Sequence, residues 1–356
     1  MVRNCMISSG NPLWVKGNPV GAGSFGVVHL AMNKFTGELF AVKTAYSGPG
    51  LQSLENEAEI LESLDSPYTI PCLGKDFTYE PNGERRLKIF LEYQAGGSLS
   101  DVLNNFGGCL DESVIRSYTR EILLGLDYLH KNNIVHGDIK CKNLLLGTSG
   151  HIKLADFGCS RRMNSTKMTD ADSKLCWQSI VGTPLWTAPE VLRNEGLCFA
   201  SDIWSLGCTI IEMATGKAPW SGNKISNPMS AVLRIASGKE LPQFPTKFSG
   251  EGLDFLAKCL ERDPKLRLTT GELLDHPFVS RSFRKEYAFS PDSILEFGMY
   301  ESDYDSDEAE KVFQQETRSR LPFLKRQHSR RERASEWPYK ENDFASSDDW
   351  ITVRSG

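Results

Sequence analysis

Long apolar runs are missing from this chain of 356 residues, and no stretch approaches the ~20 residues that span a bilayer. A basic excess is missing too. The net charge is -5, which argues against general nucleic-acid binding. The nine cysteines contain no C-x-x-C pair, and their number is odd, so a secreted disulfide framework or a zinc site does not fit. Free thiols in a reducing compartment do. Residues 1–10 carry one Arg and no apolar core, so no signal peptide is expected, and Val2 in place of Gly excludes N-myristoylation. There is no tandem repeat. With 40% hydrophobic residues, the chain suffices for one large or two modest globular domains.

What is present centres on His136-Gly137-Asp138-Ile139-Lys140-Cys141-Lys142-Asn143, between a helix-like run and the apolar Leu144-Leu145-Leu146. Asp138 offers a carboxylate, Lys140 a cation and Asn143 a neutral oxygen on one short loop. Phosphoryl transfer needs such a set: an acceptor for a hydroxyl proton, a charge on the moving group and an oxygen on a metal. Asp156-Phe157-Gly158 adds a second metal-binding carboxylate downstream. In this order the stretches resemble those of a protein kinase.

Gly21, Gly23 and Gly26 match G-x-G-x-x-G, a weak signal that could also open a dinucleotide fold. A dinucleotide fold requires a helix after Gly26. Here β-type sequence follows, then Ala41-Val42-Lys43, and no Gly-Lys-Ser/Thr ending makes a Walker-type loop. The resemblance implies that Gly21, Ala22, Gly23, Ser24, Phe25 and Gly26 form the nucleotide clamp over ATP. Lys43 would contact the α/β-phosphates. Residues 53–64 are rich in helix formers, with Leu54, Ala58, Leu61 and Leu64 at helical spacing. One Glu there pairs with Lys43 in the family pattern. Glu57 fits, which leaves Glu55 and Glu59 solvated; the alternative is that all three form a wet helix face.

Residues 87–93 read as a strand that breaks at Gln94-Ala95-Gly96-Gly97-Ser98-Leu99. By resemblance this is the hinge, with Leu91 as gatekeeper and backbone groups of Glu92 and Gln94 at the adenine edge. Val20, Val28, Ala41 and Leu145 would supply apolar walls, although ordinary core describes them as well. Ile115, Tyr118, Ile122, Leu126 and Leu129 form a helical stripe over residues 113–130, with Asp111 a candidate cap.

The resemblance makes Asp138 the base or orienter and Lys140 the mark of Ser/Thr specificity. Asn143 and Asp156 become the Mg2+ ligands, and His136 and Phe157 the packing beneath them. Gly137 departs from the family, whose H-R-D carries an Arg that grips an activation-segment phosphate. Activation by that route is therefore in doubt, and dependence on phosphorylation of Ser179 is expected to be weak; Arg161 and Arg162 are candidate substitutes. Residues 181–190 read Val-Gly-Thr-Pro-Leu-Trp-Thr-Ala-Pro-Glu, similar to the G-T-P-x-W-x-A-P-E of mitogen-activated cascade kinases, and the resemblance implies that Thr183 would contact Asp138 and Lys140. Cys159 is expected to be inert packing. Asp202 should brace the loop, and Arg267 should pair with Glu190.

The implied fold is α+β and bilobal. A short extension (1–13) precedes a kinase domain over 14–280, with a small β-rich lobe to about 92 and a larger, mainly helical lobe from about 97. Residues 281–356 are expected to be a disordered regulatory tail. Residues 296–310 hold seven acids and no Lys or Arg; residues 318–333 hold seven basic residues, as an import patch or a docking peptide would. The whole resembles a plant MEKK-type mitogen-activated protein kinase kinase kinase. That resemblance implies ATP and Mg2+ as cofactors, a MAP kinase kinase as substrate, and a place in cytoplasm and nucleus. A kinase of another Ser/Thr group and a pseudokinase scaffold stay open as alternatives; Lys43, Asp138, Asn143 and Asp156 weigh against the scaffold.

Overall fold

The computed structural model describes residues 13–23, 26–45, 48–79, 83–163, 184–221 and 228–280. Ser24, Phe25, Ser179, Thr183, the first twelve residues and everything after 280 lie outside these, as do the expectations attached to them.

The chain opens with three strands, β1 (Trp14–Gly23), β2 (Gly26–Asn33) and β3 (Leu39–Ala45). Helix α1 (Pro49–Glu62) follows, then β4 (Cys72–Tyr79) and β5 (Arg85–Glu92). These strands make one antiparallel sheet, ordered β1-β2-β3-β5-β4. A strand, not a helix, leaves Gly26, so the dinucleotide alternative falls. The register Val28↔Lys43, Leu30↔Ala41 and Ala41↔Leu91 puts Val28, Ala41, Lys43 and Leu91 on one face, because partners across a ladder point the same way. The opposite face closes over Trp14, Phe40 and Phe90, whose rings meet edge-on at 5.9–6.1 Å.

Helix α1 begins four residues before the helix-forming run, with Pro49 at its first turn, where no donor is lost. It ends at Glu62, where the Ser63 backbone N–H and hydroxyl both turn back to the Ile60 carbonyl. Leu64 therefore lies beyond the helix. The buried face holds Leu51, Leu54, Ala58, Ile60 and Leu61, joined by the polar Ser53 and Glu57.

After β5, Gly96 and Gly97 run beside Leu146: the Gly96 N–H donates to the Leu146 carbonyl, and the Leu146 N–H to that of Gly97. A Cβ on Gly96 would stand 2.5 Å from the Leu146 oxygen, so the approach requires glycine. Helix α2 (Leu99–Asn105) starts on a capping box, Ser98 with Asp101. Helix α3 (Glu112–Lys131) buries Ile115, Ile122, Leu126 and Leu129 as the stripe requires, and Thr119, Leu123 and Gly125 besides. Asp111 occupies its N-cap position, but its side chain makes no capping hydrogen bond. The next residue, Glu112, accepts from the Ser249 N–H and hydroxyl and from Arg116.

Short strands β6 (Ile134–Val135), β7 (Leu144–Leu146), β8 (Ile152–Leu154) and β9 (Arg161–Arg162) pair as β6-β9 and β7-β8. The remaining elements are helical: α4 (Pro189–Leu192), α5 (Phe199–Thr215), α6 (Pro228–Ser237), α7 (Gly250–Cys259), α8 (Thr270–Leu274) and α9 (Pro277–Ser280). The result is an α+β molecule with a sheet lobe and a helical lobe. None of its described helices is long and apolar enough to cross a membrane.

Candidate active site

Lys43 stands on the middle strand of the sheet and is 6% exposed. Its Nζ lies 2.6 Å from Glu57 Oε2 on α1 and 2.7 Å from Asp156 Oδ1. One ammonium thus joins the sheet, α1 and the Asp156-Phe157-Gly158 turn. Burial alone would lower the Lys43 pKa, but the two carboxylates reverse this and raise it. Burial dominates at Glu57, whose pKa is raised in spite of Lys43. Burial also opposes the charge on Asp156, but Lys43 and then Lys140 hold its pKa below the ordinary carboxylate value. Glu55 is not simply solvated: Arg85 pairs with it at 2.8 Å. Glu59 is exposed.

The loop Asp138–Asn143 forms a second polar knot. Lys140 Nζ is 2.8 Å from Asp138 Oδ2, and Asn143 Nδ2 donates to the same oxygen and to the Asp138 carbonyl, both at 2.8 Å. With its amide nitrogen so engaged, Asn143 keeps Oδ1 as an acceptor, the atom a cation needs. Asp156 has left-handed backbone, φ 64°, and a side chain one-third exposed.

Asp202 of α5 holds this loop from below. Its carboxylate, 0% exposed, accepts from the backbone N–H of His136 (2.9 Å) and of Gly137 (2.8 Å) and lies 2.9 Å from His130 Nε2. His136 packs against Phe157 with the rings tilted and their centroids 4.9 Å apart. Its Nδ1 accepts from the Asp138 N–H and its Nε2 faces the Ala155 carbonyl, as in a neutral imidazole. Burial lowers its pKa against the pull of Asp202, Asp138 and Asp156.

Gly137 sits at φ +80°, and a Cβ there would stand 3.0 Å from the Cys159 carbonyl oxygen and 3.3 Å from Leu197 Cδ2. Cys159 itself is buried. Arg267 grips Glu190 through two nitrogens, at 2.8 and 3.2 Å.

On the hinge, Ala41, Leu91 and the Gln94 side chain are buried, Val28 and Leu145 are half-buried, and Val20 is 49% exposed. Of the glycine-turn backbone, Gly21 to Gly23 end β1 and Gly26 begins β2. The Glu92 N–H already donates to the Pro71 carbonyl, so Glu92 has no backbone donor for a ligand. Its carboxylate pairs with Lys153 at 2.7 Å, across from Leu145 in the β7-β8 ladder.

The structure therefore brings Lys43, Glu57 and Asp156 into one knot and Asp138, Lys140 and Asn143 into another. A match to the protein kinase domain over residues 14–279 agrees with this arrangement. This chain belongs to the protein kinase family. The chain is 41% identical over 295 residues to mitogen-activated protein kinase kinase kinase 3 of Arabidopsis thaliana, covering 80% of this chain and 43% of that protein. Mitogen-activated protein kinase kinase kinase 18 of the same plant is 41% identical, with 75% of this chain and 77% of that protein covered. Mitogen-activated protein kinase kinase kinase A of Dictyostelium discoideum is 42% identical, with 77% and 28% covered. The kinase thus spans less than half the length of several relatives it matches. Protein kinases use ATP and a divalent metal, and no helix described here spans a membrane.

Sequence patterns did not single out Ser53, Asn56, His130 or Glu212. Each bonds to a group far away in the chain, a partnership that leaves no spacing signal. Ser53 donates to the Gly158 carbonyl (3.0 Å), and Asn56 to the carbonyls of Ser160 (3.0 Å) and Phe157 (3.4 Å). Glu212 accepts from the Cys141 N–H (3.2 Å) and from the Trp186 indole (3.0 Å). Its burial raises its pKa.

Proposed function

We propose that this kinase transfers the γ-phosphoryl group of ATP to Ser or Thr of a MAP kinase kinase. The carrying observation is the intact pair of knots: Lys43 bound to both Glu57 and Asp156, and Asp138 bound to both Lys140 and Asn143. A scaffold would have no need of these five buried or half-buried charges, since well-packed apolar residues in place of a buried ion pair are often at least as stable.

Asp138 takes the proton of the acceptor hydroxyl, or orients that hydroxyl towards the γ-phosphorus. Lys140, held by Asp138, leans on the charge of the moving phosphoryl group. Lys43 meets the α/β-phosphates, and Glu57 fixes where Lys43 points. Val28, Ala41 and Leu145 would sandwich the adenine, with the backbone at Gln94 along its edge.

The described residues hold no cluster of three or more His, Cys, Asp or Glu fit to cage a metal. Asn143 Oδ1 and the free Asp156 oxygen are hard ligands, few in number, as suits Mg2+, which takes one or two protein ligands beside substrate phosphates. A metal held by Asn143 and Asp156 would supply positive charge to the phosphates of ATP.

The names of the relatives support the MAP kinase kinase as acceptor. The test is phosphorylation of a panel of purified kinase kinases with ATP, with Asp138→Asn as the control. Transfer to one or more panel members, lost in the control, is the expected result. Transfer only to unrelated Ser/Thr proteins would move the chain to another kinase group, and no transfer would return the scaffold alternative.

A further inference from the structure

Residues 156–160 are held more tightly than the metal-and-phosphate chemistry alone explains. Asp156 takes φ 64° and ψ 72°, a conformation that side chains other than glycine seldom adopt. Such backbone persists only where its surroundings over-determine it. Here the surroundings are largely one face of α1. Ser53, Asn56 and Glu57 fall at i, i+3 and i+4, so their side chains share that face. Glu57 works through Lys43 on the Asp156 carboxylate. Ser53 and Asn56 work on the backbone: the first on Gly158, the second on Phe157 and Ser160.

Ser53 is 0% exposed, so its hydroxyl has no water to fall back on. Ser160 passes the grip onward. Its hydroxyl donates to the His136 carbonyl at 2.8 Å, directly before the loop that carries Asp138. At the other end of α1, Arg162 donates to Ser63 Oγ. The helix and the turn are thus stitched along the length of the helix.

We infer that Ser53 and Asn56 are positioning residues for phosphoryl transfer: they pin the turn to α1, so that Asp156 keeps the left-handed backbone aiming its carboxylate at Lys43 and the metal. The inference rests on the phosphoryl-transfer function proposed above. The pinned turn and a released turn are two states of one chain, and each lost bond moves the population towards release. Binding of adenine uses other residues and should be spared. Release should instead lower the turnover number and raise the Mg2+ concentration required.

The experiment uses the full chain as wild type, Ser53→Ala, Asn56→Asp, the double variant and Asp156→Asn. Asn56→Asp preserves shape and removes the donating amide; Ser53→Ala removes one oxygen. Hydrogen exchange over 156–160 is read by mass spectrometry without nucleotide or metal. Kinetics on a generic protein substrate then give kcat, the KM for ATP and the Mg2+ concentration at half-maximal rate.

Each single variant is expected to exchange faster at 156–160 and to lose about tenfold in kcat. The KM for ATP should change less than threefold, and the Mg2+ midpoint should rise. The single variants decide the matter if the double variant does not fold. Exchange and kcat that fail to move together, or that both stay within twofold of wild type, overturn the inference. Failure of the function itself would look different: an inactive wild type, or an active Asp156→Asn.

Discussion

At the scale of the residue, Lys43 does two jobs that the sequence showed as one. The A-V-K pattern and the Glu-rich run made its pairing with Glu57 legible. The depth of that pair was not, because burial is a property of the folded sheet. Lys43→Met and Asp156→Asn are both expected to abolish transfer. Their effects on folding should differ. Asp156→Asn keeps shape and removes one half-buried charge. Lys43→Met strands Glu57, 1% exposed, without its cation. Burial already raises the Glu57 pKa, and loss of Lys43 would raise it further. A carboxylate whose folded pKa lies above its unfolded value favours the fold most below the unfolded value, near 4.5, and loses that contribution as pH rises through the folded value. The stability deficit of Lys43→Met should thus be small at pH 5 and larger at pH 8, at most about 3–5 kcal/mol. Urea titrations at the two pH values check this; a deficit that shrinks as pH rises would contradict it. Gly137 shows a different limit. Its departure from the family was plain, but not its left-handed backbone or its closeness to the Cys159 carbonyl. Restoring the family residue by Gly137→Arg is expected to destabilise the protein by about 1–2 kcal/mol through backbone conformation alone, seen as a lower denaturation midpoint.

At the scale of the element, the hinge shows how a few hydrogen bonds set a pocket. The strand-breaking Gln94–Leu99 was readable from its glycines. Its pairing to β7 was not, since that depends on Gly96 and Gly97 meeting Leu146 from another part of the chain. Ser98 ends this pairing and starts α2: its hydroxyl accepts from the Asp101 N–H, while the Asp101 carboxylate accepts from the Ser98 N–H and hydroxyl. It also bridges to Leu145, the expected floor beneath adenine. Ser98→Ala should cost about 1 kcal/mol of stability, the usual loss for a removed N-cap. The loosened floor should raise the KM for ATP severalfold and leave kcat nearly unchanged. A denaturation curve and an ATP titration measure the two, and a fall in kcat with constant KM would assign Ser98 to the chemistry instead. Asp111 teaches the converse. Its residue type and place fitted a cap, and it holds the N-cap position, but its side chain makes no capping hydrogen bond, and the neighbouring Glu112 carboxylate instead accepts from the Ser249 N–H before α7.

At the scale of the whole molecule, the described residues used for chemistry all lie before residue 281. The last helix, Pro277–Ser280, buries Phe278 against Phe255 and Phe248, with ring centroids 4.9 and 6.0 Å away. Arg116 of α3 lies 4.5 Å above the Phe278 ring and donates to the Phe278 carbonyl at 3.0 Å. The same guanidinium binds Glu112 and reaches Glu251, so one residue ties the end of the family match to the start of α3 and to α7. Truncation after Arg284 keeps all of these contacts. Truncation after His276 removes Phe278, an aromatic side chain whose loss from a core costs about 3–5 kcal/mol. The first truncation is expected to keep the turnover number on a generic substrate within twofold of the full chain. The second should melt at a clearly lower temperature and lose activity with its fold. If the chain truncated after Arg284 were soluble, folded and inactive, residues 285–356 would belong to the catalytic unit, and the separation of chemistry from the charged tail would be wrong.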